Sequence, residues 1–245
     1  MTASDNATLA TTLAEFPVFA EVPAAALKRL ADSATVQQVR DGAQVFTQGD
    51  PADAVYAILN GDGRVRVGVP DATSKRLMVE MFRERDIFGE MGVIDGGSRS
   101  ADATAVGVVH LARIRGAQFL DVLATTPALG TNLVRLLSRR LRRTFALFQD
   151  AIFEPLEVRL ARQVLYLATV GARRADGKLR IAGRFRQGDL ADLLGATTRS
   201  IITILNGWRA EGIVEYDSQR GFVTIVDEPR FRAIVEHTAA AGPTR

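Results

Sequence analysis

The chain has 245 residues, 47% of them apolar and 24% charged, enough for two modest domains that each bury a core. With no cysteine and two histidines, it can form no disulfide, cysteine-ligated iron–sulfur cluster or thiol redox sensor, and no histidine-built metal site is expected. The net charge of +3 hides an asymmetry: residues 1–130 carry 12 Lys/Arg against 16 Asp/Glu, and residues 131–245 carry 19 against 12. A polyanion is therefore expected to meet the second half.

No run of about eighteen apolar residues occurs, and no basic segment followed by an apolar one opens the chain, so a cytoplasmic protein with neither membrane span nor secretory signal is expected. The first dozen residues and Ala239–Arg245 are of low complexity, and the latter reads as a disordered tail.

In chain order, residues 43–69 read as short strands punctuated by glycine turns, ending in the alternation Arg64-Val65-Arg66-Val67-Gly68-Val69 of a half-buried strand. Leu77–Phe82 and Val106–Ile114 add two more strands, and His110, inside the apolar run Val108–Leu111, reads as a structural strand residue.

Between those two strands lies the most informative stretch, Gly89-Glu90-Met91-Gly92-Val93-Ile94-Asp95-Gly96-Gly97-Ser98-Arg99-Ser100-Ala101. Its glycines let the backbone turn tightly and aim amide N–H groups at an anion. The Arg99 guanidinium matches two phosphate oxygens, Ser100 adds a hydroxyl donor, and the acceptor-only carboxylate of Glu90 suits a sugar hydroxyl. Together they suit a ribose phosphate.

After Thr126-Pro127 the chain runs to about Phe153 without proline, predicting one long helix. Val134, Leu137, Leu141, Thr144, Phe148 and Ala151 form a heptad seam that implies a homodimer, while Leu133, Leu136, Leu147 and Ile152 lie off it, free to pack on the β-roll. Arg139-Arg140 and Arg142-Arg143 read as a solvated basic face, with Arg140 able to approach a ligand. Glu154-Pro155 breaks the pattern before a helix over Pro155–Val170.

Gln187–Leu194 and Thr198–Ala210 then form two helices joined by the turn Gly195-Ala196-Thr197, with Thr197 an N-cap. Strands over Ile213–Tyr216 and Phe222–Val226 follow, giving a winged helix-turn-helix. Asp189 and Asp192 read as a solvated helix face, and no Walker loop, nucleophile elbow or metal cluster points to an enzyme.

The turns Gln48-Gly49-Asp50 and Leu59-Asn60-Gly61, with Phe88-Gly89-Glu90-Met91-Gly92 and Arg99-Ser100-Ala101, resemble the cyclic-nucleotide-binding β-roll of the CRP/FNR (catabolite-activator) family of bacterial transcription regulators, over about residues 16–228. The resemblance implies an α+β fold: a tail over 1–15, a jelly-roll-like β-roll over 16–126, a dimerisation helix over 127–154, a winged helix-turn-helix over 155–230, and a helix end and tail over 231–245.

It also implies a cyclic mononucleotide effector (cAMP or cGMP) held at Gly89, Glu90, Arg99, Ser100 and Ala101, with Thr144 on the base. Phe145 stands where the best-known member has a polar residue reaching the partner subunit's nucleotide, leaving adenine against guanine open. In the double-stranded operator, Thr198, Arg199, Ser200 and Thr203 would face the major groove, with Arg184, Arg186 and Arg220 on phosphates. RNA polymerase is a further partner by resemblance. The alternatives are a vestigial pocket, a response to cyclic di-GMP, or a nucleotide-binding regulatory subunit without DNA activity.

Overall fold

The computed structural model describes residues 3–60, 63–70, 76–171, 179–181, 187–217 and 222–236. Two compact units divide the chain, Met1–Ser74 with Val79–Arg143, and Lys75–Met78 with Thr144–Arg245, so the main boundary falls within one long helix.

The first unit opens with α1 (Ala3–Leu13) and α2 (Ala24–Ser33), joined through a 3-10 turn at Pro17–Phe19. The first dozen residues are thus not a featureless tail: Leu9 and Leu13 are buried in the same core as Phe16, Phe19, Leu27 and Leu30. Leucines four apart lie on one helical face, and that face is what α1 buries.

Next come β1 (Ala34–Val39), β2 (Gln44–Phe46), β3 (Ala54–Asn60), β4 (Arg64–Pro70), β5 (Arg76–Phe82) and β6 (Ile87–Phe88). The short α3 (Glu90–Asp95), β7 (Asp102–Val106), β8 (Val109–Arg115) and α4 (Gly116–Thr125) complete the roll. Two four-stranded sheets result, ordered β1-β8-β3-β6 and β2-β7-β4-β5. Strand β3 shows why the layers hold: Ala54, Tyr56 and Ile58 enter one core with Val65, Phe82, Phe88 and Leu111, while Val55 and Ala57 enter the helical core on the other face.

The single strand expected over Val106–Ile114 is two strands in different sheets. β7 pairs with β2 and β4, whereas β8 pairs with β1 and β3, so the chain changes sheets at Gly107-Val108. Gly107 takes φ 76°, and its N–H donates to Asp41 Oδ1 at 2.8 Å. Apolar residues on both sides mask that turn in the sequence. His110 is a strand residue, its Nε2 3.3 Å from Gln38 Nε2.

Helix α5 (Pro127–Phe153) spans the predicted range. Leu133 is buried, and Leu136 and Leu137 pack against the helical core, so Leu137 serves the β-roll although it sits in the heptad pattern. Ile152 is 56% exposed. Among the described residues, no helix is long and apolar enough to cross a membrane.

In the second unit α6 (Leu156–Gly171) precedes β9 (Leu179–Arg180), α7 (Gln187–Leu194), α8 (Thr198–Ala210), β10 (Val214–Asp217), β11 (Phe222–Ile225) and α9 (Glu228–Glu236). The wing strands β10 and β11 are joined by β9 into an antiparallel sheet ordered β10-β11-β9. Trp208 centres this core, edge-on to Phe231 at 5.3 Å, with its Nε1–H donating to Glu157 Oε1 at 2.8 Å.

Since Leu13 is fully buried, Leu13→Ala should cost about 2–5 kcal/mol, as deletion of a core leucine does. Chemical denaturation of the full chain followed by circular dichroism should show the N-terminal unit unfolding earlier; an unchanged curve would mean that α1 adds nothing to the core.

Candidate functional site

Several segments of the β-roll hold Arg99 in place. Its backbone is clamped on the Gly49-Asp50 turn, N–H to Asp50 O and carbonyl from Gly49 N–H, both at 2.9 Å. Its side chain is 2% exposed: Nη1 donates to Gly89 O at 2.7 Å, Nη2 lies 3.7 Å from Asp53 Oδ1, and the guanidinium rests 4.3 Å from the Phe46 ring centroid. Asp53 is shared with Arg113 at 2.5 Å. Burial pushes the Arg99 pKa down, opposed by Tyr56 and the Asp53 carboxylate.

Arg99 Nε is buried without a hydrogen-bond partner. A buried donor on a permanent cation is costly to leave unmatched, and an anion supplied from outside would match it. Gly89 makes the approach possible: with φ 75°, a Cβ there would sit 2.7 Å from Arg99 Nη1.

Glu90, first residue of α3, is 3% exposed, and its Oε1 accepts from Arg140 Nη1 at 2.6 Å. Arg140 Nη2 donates to Ile87 O at 2.6 Å, and its guanidinium lies 4.5 Å from the Phe82 ring centroid. Arg143 Nε approaches Glu80 Oε2 at 3.4 Å. The four arginines are therefore not one solvated face: Arg139 and Arg142 are exposed, while Arg140 and Arg143 turn inward onto acids.

Gly89, Glu90, Arg99, Ser100, Ala101 and Arg140 thus come together in one unit, with Ser100 exposed, its Oγ 3.9 Å from Met91 Sδ, and Ala101 buried. Thr144 is exposed on α5 and belongs to the second unit. Sequence reasoning missed Asp53, Glu80 and the ring of Phe46. Their only signal was strand alternation, which places Glu80 and Phe82 on one face of β5.

In the helix-turn-helix, Thr197 caps α8 by accepting the Ser200 N–H at 3.2 Å. Thr198, Arg199 and Thr203 are exposed and Ser200 is half-buried, and the Thr203 hydroxyl donates back to Arg199 O at 3.0 Å, which leaves it an acceptor. Asp189, expected on a solvated face, is 7% exposed, since it belongs to the buried side of α7 with Leu190 and Leu193. Arg184, Arg186 and Arg220 lie outside the described residues.

Comparison with known proteins decides the family. Residues 36–126 match the cyclic nucleotide-binding domain and residues 158–234 the Crp-like helix-turn-helix domain. A CRP-like cAMP-activated global transcriptional regulator of Mycobacterium tuberculosis is 30% identical over 216 residues, covering 85% of this chain and 96% of that one.

The chain belongs to the CRP/FNR family.

A cyclic AMP receptor protein of Thermus thermophilus is 30% identical over 173 residues, 71% of this chain and 76% of its own. In fold, FixK2 from Bradyrhizobium japonicum superposes with a TM-score of 0.71 at 18% identity, covering 86% of this chain and 99% of that one. This CRP/FNR protein is a ligand-responsive transcription regulator with a DNA-binding helix-turn-helix, and not an enzyme.

Burial raises the carboxyl pKa of Glu80 against the opposing pull of Arg143, and burial likewise raises that of Asp86. A carboxyl that holds its proton more tightly when folded contributes stability present below its unfolded pKa, and that contribution is lost as pH rises through the folded value. The Tm of Glu80→Gln, minus that of the parent, should therefore climb as pH is raised from about 4. A difference independent of pH would remove Glu80 from this account.

Proposed function

We propose that this regulator is gated by a 3′,5′-cyclic mononucleotide, with the phosphate on Arg99 and Ser100 and the ribose 2′-hydroxyl on Glu90. The observation that carries this reading is the buried Arg99 guanidinium, whose Nε has no partner, next to a buried carboxylate. The cation is desolvated and held by protein partners of its own, so an anion there meets donors that need no rearrangement. In this reading Thr144 approaches the base from α5, as the resemblance implies.

The protein acts as a homodimer in this reading. Val134, Leu141 and Phe148 project from α5 with exposures of 64%, 55% and 65%, and a second copy of the helix is what a heptad seam covers. Two-fold pairing would set the recognition helices about one turn of DNA, ~34 Å, apart, which calls for an inverted-repeat operator. Arg199, exposed in the first turn of α8, is suited to a bidentate contact with guanine, while Thr198 offers a hydroxyl to a base edge or phosphate and Thr203, its proton given to Arg199 O, an acceptor to a base donor.

Calorimetric titration tests the pocket: Arg99→Ala should lose at least about 1.5–3 kcal/mol of cyclic-nucleotide affinity, the range for a hydrogen bond to a charged group. Binding equal to the parent would refute the phosphate role.

Fluorescence anisotropy at fixed salt tests the reading head. Arg199→Ala should lose about 1–3 kcal/mol of discrimination between operator and mismatched DNA, with or without nucleotide. Unchanged preference would remove Arg199 from base recognition.

A further inference from the structure

We propose that Glu80 and Arg143 read the base edge of the nucleotide and select guanine over adenine; this rests on the assignment of phosphate to Arg99 and ribose to Glu90 made above.

The direction of the base follows from the nucleotide's own geometry. In a 3′,5′-cyclic nucleotide the phosphate closes a ring through C3′ and C5′, while the base leaves from C1′, beyond the 2′-hydroxyl. With Arg99 on the phosphate and Glu90 on that hydroxyl, the base extends past Glu90, away from Arg99. The next group in that direction is Arg140, joined to Glu90 at 2.6 Å and seated 4.5 Å from the Phe82 ring centroid.

Two further side chains share these surfaces. Arg143 follows Arg140 by three positions on α5, hence on the same helical face. Glu80 precedes Phe82 by two on β5, hence on the same strand face. They meet at 3.4 Å, with side-chain exposures of 16% and 18%. Beyond the ribose position, then, the wall carries an aromatic ring, a carboxylate and a guanidinium, all shielded from bulk water.

That donor and acceptor set suits one purine better than the other. The guanine edge presents N1–H and N2–H side by side, which a carboxylate accepts in parallel, and an O6 that a guanidinium can reach. Adenine presents one donor, N6–H, next to the lone pair of N1, so one carboxylate oxygen would face another acceptor. In a shielded site such a mismatch is penalised more than in water. Besides Arg143, Glu80 is influenced by Arg140 and Asp86 and accepts the Met81 N–H, yet burial still raises its pKa above the usual carboxylate range. Two N–H donors from a base would relieve that penalty.

The alternative is that Glu80 and Arg143 only fasten α5 to β5, and nucleotide selectivity separates the two. Titration of the full chain with cGMP, cAMP and cyclic IMP, which keeps N1–H and O6 but lacks the 2-amino group, should rank cGMP first and cAMP last. The span between them should be about tenfold or more. Glu80→Gln should collapse the cGMP-to-cAMP affinity ratio toward unity, and Arg143→Met, checked for an intact fold by circular dichroism, should narrow it as well. If cAMP binds the parent as tightly as cGMP, or if Glu80→Gln weakens both alike and keeps their ratio, base reading by this pair is overturned while the pocket stands. If none of the three binds, both readings fall together.

Discussion

Everything in the N-terminal unit is arranged around one costly fact, a guanidinium removed from water with its donors only partly matched. Desolvating a permanent cation is unfavourable by several kcal/mol in proteins, and Arg cannot escape by losing its proton. The fold offsets this with the Gly89 carbonyl, the carboxylate of Asp53 and the π-face of Phe46, each from a different segment of the roll. Three weak partners hold Arg99 in place without exhausting it. A side chain so placed is rigid and still able to accept an anion, the condition under which binding costs least.

The same economy governs α5. One side of its first half is occupied by Leu129, Leu133 and Leu136 in the helical core, and beside them Arg140 and Arg143 turn toward Glu90 and Glu80. Val134, Leu141 and Phe148 elsewhere on the helix are apolar and exposed. In the second unit, Arg162 of α6 reaches back to Asp150 at 2.5 Å and Glu154 at 2.9 Å, bridging the break at Pro155. An arginine fork tied to one carboxylate in the last turn of α5 and another just after it fixes the bend between α5 and α6 more firmly than a loop would. Glu154 keeps one buried oxygen, Oε2, without a partner, so this elbow is not fully satisfied.

How much of this the sequence disclosed depended on how far apart the partners lie along the chain. The loop read as a candidate phosphate site stood out because Gly89, Glu90, Arg99 and Ser100 fall within about one dozen residues and their chemistry needs no fold to be recognised. The recognition helix was legible for the same reason, its cap Thr197 and buried Ile201, Leu205 and Trp208 being local. The roles of Arg140 and Arg143 were not, because their acids are 50 and 63 positions away and an arginine-rich helix face looks solvated until something packs on it. Helix α1 was misjudged because Ala and Thr dilute its two buried leucines. Asp189 was misjudged because period alone does not separate a polar residue in a packed helix pair from one in water.

A ligand at this site would act on the rest of the chain through α5. A ligand shifts a conformational equilibrium only by the difference in its affinity for the two states. Glu90 Oε1 accepts from Arg140, so a 2′-hydroxyl arriving at the same carboxylate must share it or displace the arginine. Arg140 keeps its bond to the Ile87 carbonyl at 2.6 Å, so the helix is not simply released. A base lying against Glu80 and Arg143 would act on the next turn in the same way. Sugar and base would thus trade ligand contacts for contacts that fasten α5, and the effector's influence is the balance of that exchange, a coupling that must act equally on nucleotide affinity when DNA binds first.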